Sequence, residues 1–129
     1  MKEWQFKAFR KESGKNAIEE WLEGLSQTAQ ASIRAGISYL EARPPREWVR
    51  PFFDTLSGRI HKIRITDIIE KKEYRILGCF GPGDRVFTML IGAIEKDRKL
   101  EPGAKETAKQ RYKIVQKYKE RCLYDYKWP

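Results

Sequence analysis

The sequence is poor in the residues that build disulfide scaffolds and metal sites. It contains two cysteines, Cys79 and Cys122, and one histidine, His61. A disulfide scaffold in a small secreted domain needs more cysteines, and a structural zinc site uses about four Cys or His ligands. The sequence therefore predicts no disulfide framework, no metal site and no cofactor. His61 alternates with Ile63 and Ile65, so we expect it to be a half-buried strand histidine.

Long apolar runs are also absent. No stretch is long enough to span a bilayer, and the first residues, MKEWQFKAFRKESGK, have no apolar core of the kind found in secretory leaders. We find no internal repeat and no low-complexity segment. The sequence predicts a soluble cytoplasmic protein without membrane contact. It also predicts one domain over residues 1–129, in which residues 119–129 are an aromatic C-terminal tail.

The usual enzyme signatures are missing as well. There is no Ser-His-Asp set, no phosphate-binding glycine loop and no dinucleotide fingerprint.

What the sequence has in excess is positive charge. It holds 27 Lys and Arg against 18 Asp and Glu, which gives a formal net charge of +9. Such a surplus favours a polyanionic partner, namely nucleic acid, an anionic membrane surface or an acidic protein.

Hydrophobic periodicity predicts the order β-α-α-β-β-β-α. A first strand in EWQFKAF precedes two helices capped by Ser13 and Ser26, which should form a hairpin. Three strand-like runs follow at about 59–66, 73–80 and 85–95, separated from the helices by a proline-containing loop. A basic helix over 102–119, with Pro102 in its first turn, ends the pattern. This order predicts an α+β fold, with helices on one face of a mainly antiparallel sheet and the other face open.

Basic residues on the predicted strands are the main candidates for chemistry. Strand alternation places Lys62 and Arg64 on one face, and neighbouring antiparallel strands can bring Arg64, Arg75 and Lys96 close together. Two guanidiniums and an ammonium would form a phosphate cradle, because Arg binds phosphate through a planar fork. The alternative is that these cations merely solvate the open side of a sheet.

Four segments in order carry a resemblance to a known family. They are LSGRIHKIRI, YRILGCF, VFTMLIGAIEK and EPGAKETAKQRYK, and the helical segment LSQTAQASIRAGISYLE also fits. Over roughly residues 3–119 the chain resembles the RelE/ParE superfamily of bacterial toxins, and within it the HigB-type, phage-derived killer-like branch. The family often has a lysine-rich segment near the position of Lys96, whereas this chain has IGAIEKDRK.

The resemblance implies the toxin of a type II toxin–antitoxin system. It implies a RelE-like fold and a cognate antitoxin, expected to be a small helix-turn-helix protein. It also implies metal-independent, ribosome-dependent cleavage of mRNA, in which the 2′-hydroxyl attacks the phosphate and leaves a 2′,3′-cyclic phosphate. Catalytic roles carry over to Arg64, Arg75 and Lys96. Candidate acid/base groups are Tyr112, Tyr124 and Tyr126, and the residues expected to contact RNA are the lysines Lys62, Lys99, Lys109, Lys113 and Lys117.

Two other functions stay open at this point. One is a ParE-like toxin that inhibits DNA gyrase and has no nuclease activity. The other is a basic regulatory or binding module of the same fold that has lost catalysis. The cations Arg64, Arg75 and Lys96 favour the endoribonuclease, since binding to gyrase requires no such group.

Overall fold

The computed structural model describes residues 3–122 and 124–125. The helices and strands, in chain order, are β1 (Gln5–Ala8), α1 (Ala17–Glu23), α2 (Gln27–Glu41), β2 (Phe53–Ser57), β3 (Ile60–Asp67), β4 (Lys72–Phe80), β5 (Val86–Lys96), β6 (Lys99–Leu100), α3 (Ala104–Lys117) and β7 (Tyr124–Asp125). Short 3₁₀ turns cover Pro45–Glu47 and Lys119–Cys122.

The strands form one seven-stranded sheet in the order β2-β3-β4-β5-β1-β7, with β6 paired to the end of β5. All pairings are antiparallel except that of β1 with β5, which is parallel. The fold is therefore α+β with a mainly antiparallel sheet, as the sequence pattern predicts, and it is consistent with a RelE-like fold. Strands β3, β4 and β5 form the central meander, and the three predicted runs at about 59–66, 73–80 and 85–95 are confirmed there to within one or two residues.

The two N-terminal helices begin at side-chain caps. The Asn16 side chain accepts hydrogen bonds from the backbone N–H groups of Ile18 and Glu19, so α1 begins after Asn16 and the prediction of Ser13 as its cap is wrong. Ser26 caps α2 as predicted, accepting from the N–H of Ala29. The apolar stripe of α2 is buried against the sheet, and its members are Ala29, Ile33, Ile37 and Leu40.

The sheet has an apolar core on each face, which corrects the expectation of one open face. Helices α1 and α2 cover one face, over a cluster that includes Ile63, Tyr74 and Ile76. Helix α3 covers part of the other face, where Leu77 and Cys79 are buried. The thin apolar stripe of α3, Ala104, Ala108 and Val115, is fully buried there. Pro102 lies before this helix, whose N-cap is Gly103, so its predicted place in the first turn is wrong.

The proline-containing loop after α2 contains structure that the sequence pattern does not indicate. Its second half forms the edge strand β2, which pairs with β3. Trp48 is only 5% exposed and packs against Trp4 and Phe80, and its indole N–H donates to the carbonyl of Leu40. The loop is thereby anchored to the core on the α2 side of the sheet.

A β-bulge in β5 changes the direction of its side chains. Leu77 pairs with Ile91 and Gly78 pairs with Met89, so Leu90 is an extra residue without a partner on β4. Arg111 of α3 donates from Nη1 to the carbonyl oxygen of Leu90 at 2.7 Å. Helix α3 therefore stabilises the bulge directly. One extra residue also reverses which face each later side chain of β5 occupies.

We predict that Gly92→Ala destabilises the fold by about 1–3 kcal/mol, the usual cost of overpacking. A Cβ at Gly92 would lie 2.1 Å from the Trp21 ring, so α1 or the ring must shift away from β5. Gly24→Ala is the matched control, because its Cβ would meet only a carbonyl at 3.6 Å. Urea denaturation of both variants gives the comparison, and equal midpoints would contradict the prediction.

Candidate functional site

The strand register brings three of the predicted cations together. Arg64 on β3 lies directly opposite Arg75 on β4, and Lys62 lies opposite Leu77. Because side chains alternate along a strand, Lys62, Arg64 and Arg75 share the face on which α3 packs. The opposite face of the same strands carries Ile63 and Tyr74, which are buried under α2. The predicted grouping of Lys62 with Arg64 is thus present, with Arg75 beside it. We call these three residues the cation row.

Arg75 differs from its neighbours because it is buried and paired. It is 1% exposed. Its Nη2 donates to Glu95 Oε2 at 2.5 Å and to Glu73 Oε1 at 3.3 Å, and its Nη1 donates to the Tyr74 carbonyl at 2.8 Å. Its Nε is buried without a hydrogen-bond partner. Glu73, two residues away on β4, and Glu95 on β5 neutralise the guanidinium. It is therefore not free to bind an incoming phosphate.

Lys62 and Arg64 form the accessible part of the cation row. Both are partly exposed, and within residues 3–122 neither side chain has an ion pair or a hydrogen bond. Partial burial lowers the pKa of Lys62 below its ordinary value of 10.5, and the neighbouring Arg64 charge lowers it further. The charge of Glu95 opposes that effect. A lysine in this setting is closer to losing its proton than a free surface lysine.

Lys96 lies apart from the cation row. Glu95 contacts Arg75, so alternation places Lys96 on the other side of the sheet. The extra residue Leu90 is the reason, because strict alternation from Thr88 would have placed Lys96 on the Arg75 face. The expected juxtaposition of Arg64, Arg75 and Lys96 is therefore wrong at Lys96. An acid, Glu95, occupies the position expected for the third cation.

Of the candidate tyrosines, only Tyr112 has a described side chain. It is partly buried on α3 and packs against the apolar cluster that contains Leu77, the cross-strand partner of Lys62. Tyr124 pairs with Ala8 as a backbone member of β7. Tyr126 lies outside the described residues.

The predicted RNA-contacting lysines of α3 lie on one exposed face of that helix. Lys109, Lys113 and Lys117 are each four residues apart and point away from the buried stripe. Lys99 is exposed on β6, where it pairs with Lys96 across a tight hairpin. Together with the accessible part of the cation row, these lysines supply positive charge on α3, on the hairpin and on the sheet.

The single histidine, His61, lies on the face of the sheet opposite the cation row. His61 is half-buried and stacks on Phe53 at 5.3 Å between ring centroids, and burial lowers its pKa, as expected for a strand histidine. Over residues 3–122, no group of three His, Cys, Asp or Glu side chains is placed to hold a metal ion. None of the helices described is long and apolar enough to cross a membrane.

Sequence comparison assigns the family. The model of the family described as Phage derived protein Gp49-like (DUF891) matches residues 20–113, a span that includes the whole meander and the cation row. No curated protein matches the chain. The matched family is toxin-like and tied to the RelE superfamily of toxin–antitoxin toxins, which implies an antitoxin partner. The chain belongs to the Gp49-like family of phage-derived, toxin-like proteins.

Proposed function

We propose that this protein is the HigB-type toxin of a type II toxin–antitoxin system and cleaves mRNA on the ribosome without a metal. The observation that carries the proposal is the pair Lys62 and Arg64. These two cations form no ion pair within residues 3–122 and lie side by side on the sheet. Partial burial and the Arg64 charge lower the pKa of Lys62, although the charges of Glu95 and Asp54 oppose this effect. A lysine of this kind can accept a proton while its neighbour binds the phosphate.

The proposed reaction uses groups from the sheet and α3. Lys62 takes the proton of the RNA 2′-hydroxyl as that oxygen attacks the adjacent phosphorus. Arg64 stabilises the added negative charge on the phosphoryl oxygens. Tyr112 donates a proton to the departing 5′-oxygen, so the products are a 2′,3′-cyclic phosphate and a free 5′-hydroxyl. The reaction consumes no water and needs no cofactor.

Arg75 and Lys96 have supporting roles in this proposal. Arg75 pairs with Glu95 and thereby offsets the charge of that acid, which raises the Lys62 pKa, and the Arg75 charge itself lowers it. Arg75 is thus a positioning residue. Lys96, on the other side of the sheet, contacts the RNA backbone together with Lys99 across the hairpin.

Induced expression tests the proposal. We expect growth arrest and new mRNA 5′ ends within reading frames, and co-expression of the cognate antitoxin should prevent both. Mapping of mRNA 5′ ends after induction is the measurement, with a Lys62→Met variant as the control for catalysis. Growth arrest with intact mRNA would contradict the proposal.

A non-nuclease toxin of the same fold is the second candidate. It is favoured by the surroundings of the three expected catalytic cations, because Arg75 is neutralised by Glu73 and Glu95 and Lys96 lies on the other side of the sheet. Of the three, Arg64 is left on this face without an ion pair in residues 3–122. Inhibition of DNA gyrase with intact mRNA would support this candidate. Soluble protein that neither arrests growth nor cleaves mRNA would instead indicate a catalytically inactive binding module.

We propose that the exposed lysines of α3 bind ribosomal RNA independently of sequence. Replacing Lys109, Lys113 and Lys117 by Gln should weaken ribosome association and flatten its salt dependence, because each phosphate contact releases counterions with a log–log slope of about −0.7 to −0.9. Cleavage at saturating protein should change little. Ribosome binding at several salt concentrations is the measurement, and identical slopes for both proteins would contradict the prediction.

A further inference from the structure

A second group of cations lies at the end of β1, on the other side of β5 from the cation row. Phe9, which follows β1, donates from its N–H to the Met89 carbonyl and is buried in the core beneath α3. The guanidinium carbons of Arg111, on α3, and Arg121, in the 3₁₀ turn after it, lie 4.9 and 5.1 Å from the centroid of the Phe9 ring. We call these two residues the arginine pair. One phenyl ring thus holds two like charges near each other, and their repulsion must be offset.

Backbone contacts hold both members of the arginine pair in place. Arg111 donates from Nη1 to the Leu90 carbonyl at 2.7 Å. Arg121 donates from Nε to the Arg10 carbonyl at 2.9 Å, and the Arg10 N–H donates back to the Arg121 carbonyl at 2.7 Å. The other nitrogens of the two guanidiniums have no acceptor among the residues that the structure describes. Donors that are fixed before a ligand arrives lose little conformational freedom when they bind it.

The charge of the arginine pair is not neutralised within the described part of the chain. Neither guanidinium is in an ion pair there, although both side chains are partly buried. The acid whose charge reaches Arg111 is Glu20, and this acid is already paired with Lys11 and Lys15. Partial burial lowers the pKa of Arg111, and the Arg121 charge adds to that effect while Glu20 opposes it. Because a partly buried cation without counter-charge costs free energy, the arginine pair favours a bound anion.

The arginine pair is separate from the exposed lysines of α3. Arg111 comes three residues after Ala108 and four before Val115, and both of these residues are fully buried. Arg111 therefore lies on the side of the helix that faces the sheet. The lysines proposed to bind ribosomal RNA lie on the exposed face of the same helix.

The two guanidiniums select the kind of anion. An arginine fork presents parallel N–H groups to two oxygens of one anion, so a single fork can occupy both oxygens of a carboxylate. A terminal phosphate has three acceptor oxygens and a charge near −2, and it can accept from both members of the pair at once. A phosphodiester within a nucleic acid has one charge and fewer free oxygens. The arginine pair therefore fits a terminal phosphate best.

We propose that the arginine pair binds a terminal phosphate group between α3 and the end of β1, supplied either by inorganic phosphate or by a nucleotide. The bound phosphate neutralises both guanidiniums and links α3 to the 3₁₀ turn that follows it. The inference rests on the arginine pair alone. It depends neither on the proposed cleavage of RNA nor on the antitoxin.

Isothermal titration calorimetry of the purified full chain, at low ionic strength in a phosphate-free buffer, tests the inference. The probes are inorganic phosphate, AMP, adenosine and the dinucleotide ApA, whose phosphate is a diester. We expect phosphate and AMP to bind and adenosine not to bind, and tighter binding of AMP would identify a nucleotide as the source. Arg121→Gln should weaken the binding at least about tenfold, because it removes a charged fork. Arg59→Gln removes the same charge from the exposed β2–β3 turn and should change the affinity less than about twofold.

Arg64→Ala separates the arginine pair from the cation row, and this variant should bind phosphate as the original chain does. If Arg121→Gln fails to fold, Arg111→Gln gives the same test. The inference would be overturned by a full chain that binds neither phosphate nor AMP, or by equal weakening in Arg59→Gln and Arg121→Gln. Binding that is lost in Arg64→Ala and kept in Arg121→Gln would place the phosphate on the cation row instead. Binding of ApA as tight as that of AMP would contradict the preference for a terminal phosphate.

Discussion

Lys62→Met should lower the rate of ribosome-dependent mRNA cleavage by about 10²–10⁴, the range that positioned acid–base groups contribute. Lys62 has no ion pair in the described structure, so its removal leaves no acid unpaired, and the thermal unfolding of the variant should be close to that of the original chain. Single-turnover cleavage of ribosome-bound mRNA by the purified protein is the measurement. Wild-type cleavage by this variant would remove Lys62 from the mechanism.

The dependence of cleavage on pH separates a proton acceptor from a fixed charge. The acceptor must be unprotonated, so the rate should rise with pH through the lowered pKa of Lys62. Arg64→Gln removes a repulsive charge and should move that rise to higher pH. Glu95→Gln removes an attractive charge and should move it to lower pH. Lys62→Arg keeps the charge but cannot accept the proton, so near-normal activity in this variant would assign Lys62 an electrostatic role only.

Alternation along a strand was sufficient to predict one half of the candidate site. On β3 the apolar residues Ile63 and Ile65 alternate with Lys62 and Arg64, and the structure places the two sets on opposite faces. The prediction succeeds because the side-chain period of a regular strand is two. The stripe of α2 was predictable for the same kind of reason, because its apolar residues recur at helical spacing.

Alternation failed where the strand is irregular. Nothing in VFTMLIGAIEK marks Leu90 as an extra residue, because apolar residues fill both faces of this central strand. One unpaired residue exchanges the positions of Lys96 and Glu95. The ion pair of Arg75 could not be predicted either, because it depends on the cross-strand register that places Glu73 opposite Glu95.

The sequence indicated the second core, between α3 and the sheet, only through a thin apolar stripe on α3. Ala104, Ala108 and Val115 lie on one side of α3, and small residues of this kind let a helix approach a sheet closely. A helix with such a stripe needs an apolar surface to cover, and Leu77, Cys79 and Leu90 provide it on the face that was expected to be open. The cation row is therefore confined to the part of that face which lies toward β3.

Arg75→Ala should destabilise the protein by about 3–5 kcal/mol, the cost of breaking a buried ion pair by removing one partner. The variant leaves Glu95 largely buried without its cation and removes most of a side chain that is itself buried. For a domain whose total stability is about 5–15 kcal/mol, this is a large fraction, and part of the protein should be unfolded at 37 °C. Urea denaturation is the measurement.

Arg64→Ala is the matched control on the neighbouring strand. Arg64 lies opposite Arg75 in the register but is partly exposed and unpaired in the described structure, so its loss should cost no more than about 0.5–1 kcal/mol. Replacing Arg75 and Glu95 together by Leu should recover much of the loss, because no buried charge then remains. Equal midpoints for Arg75→Ala and Arg64→Ala would mean that the Arg75–Glu95 pair does not stabilise the fold. Loss of toxicity in the Arg75 variant could then be attributed to the site rather than to unfolding.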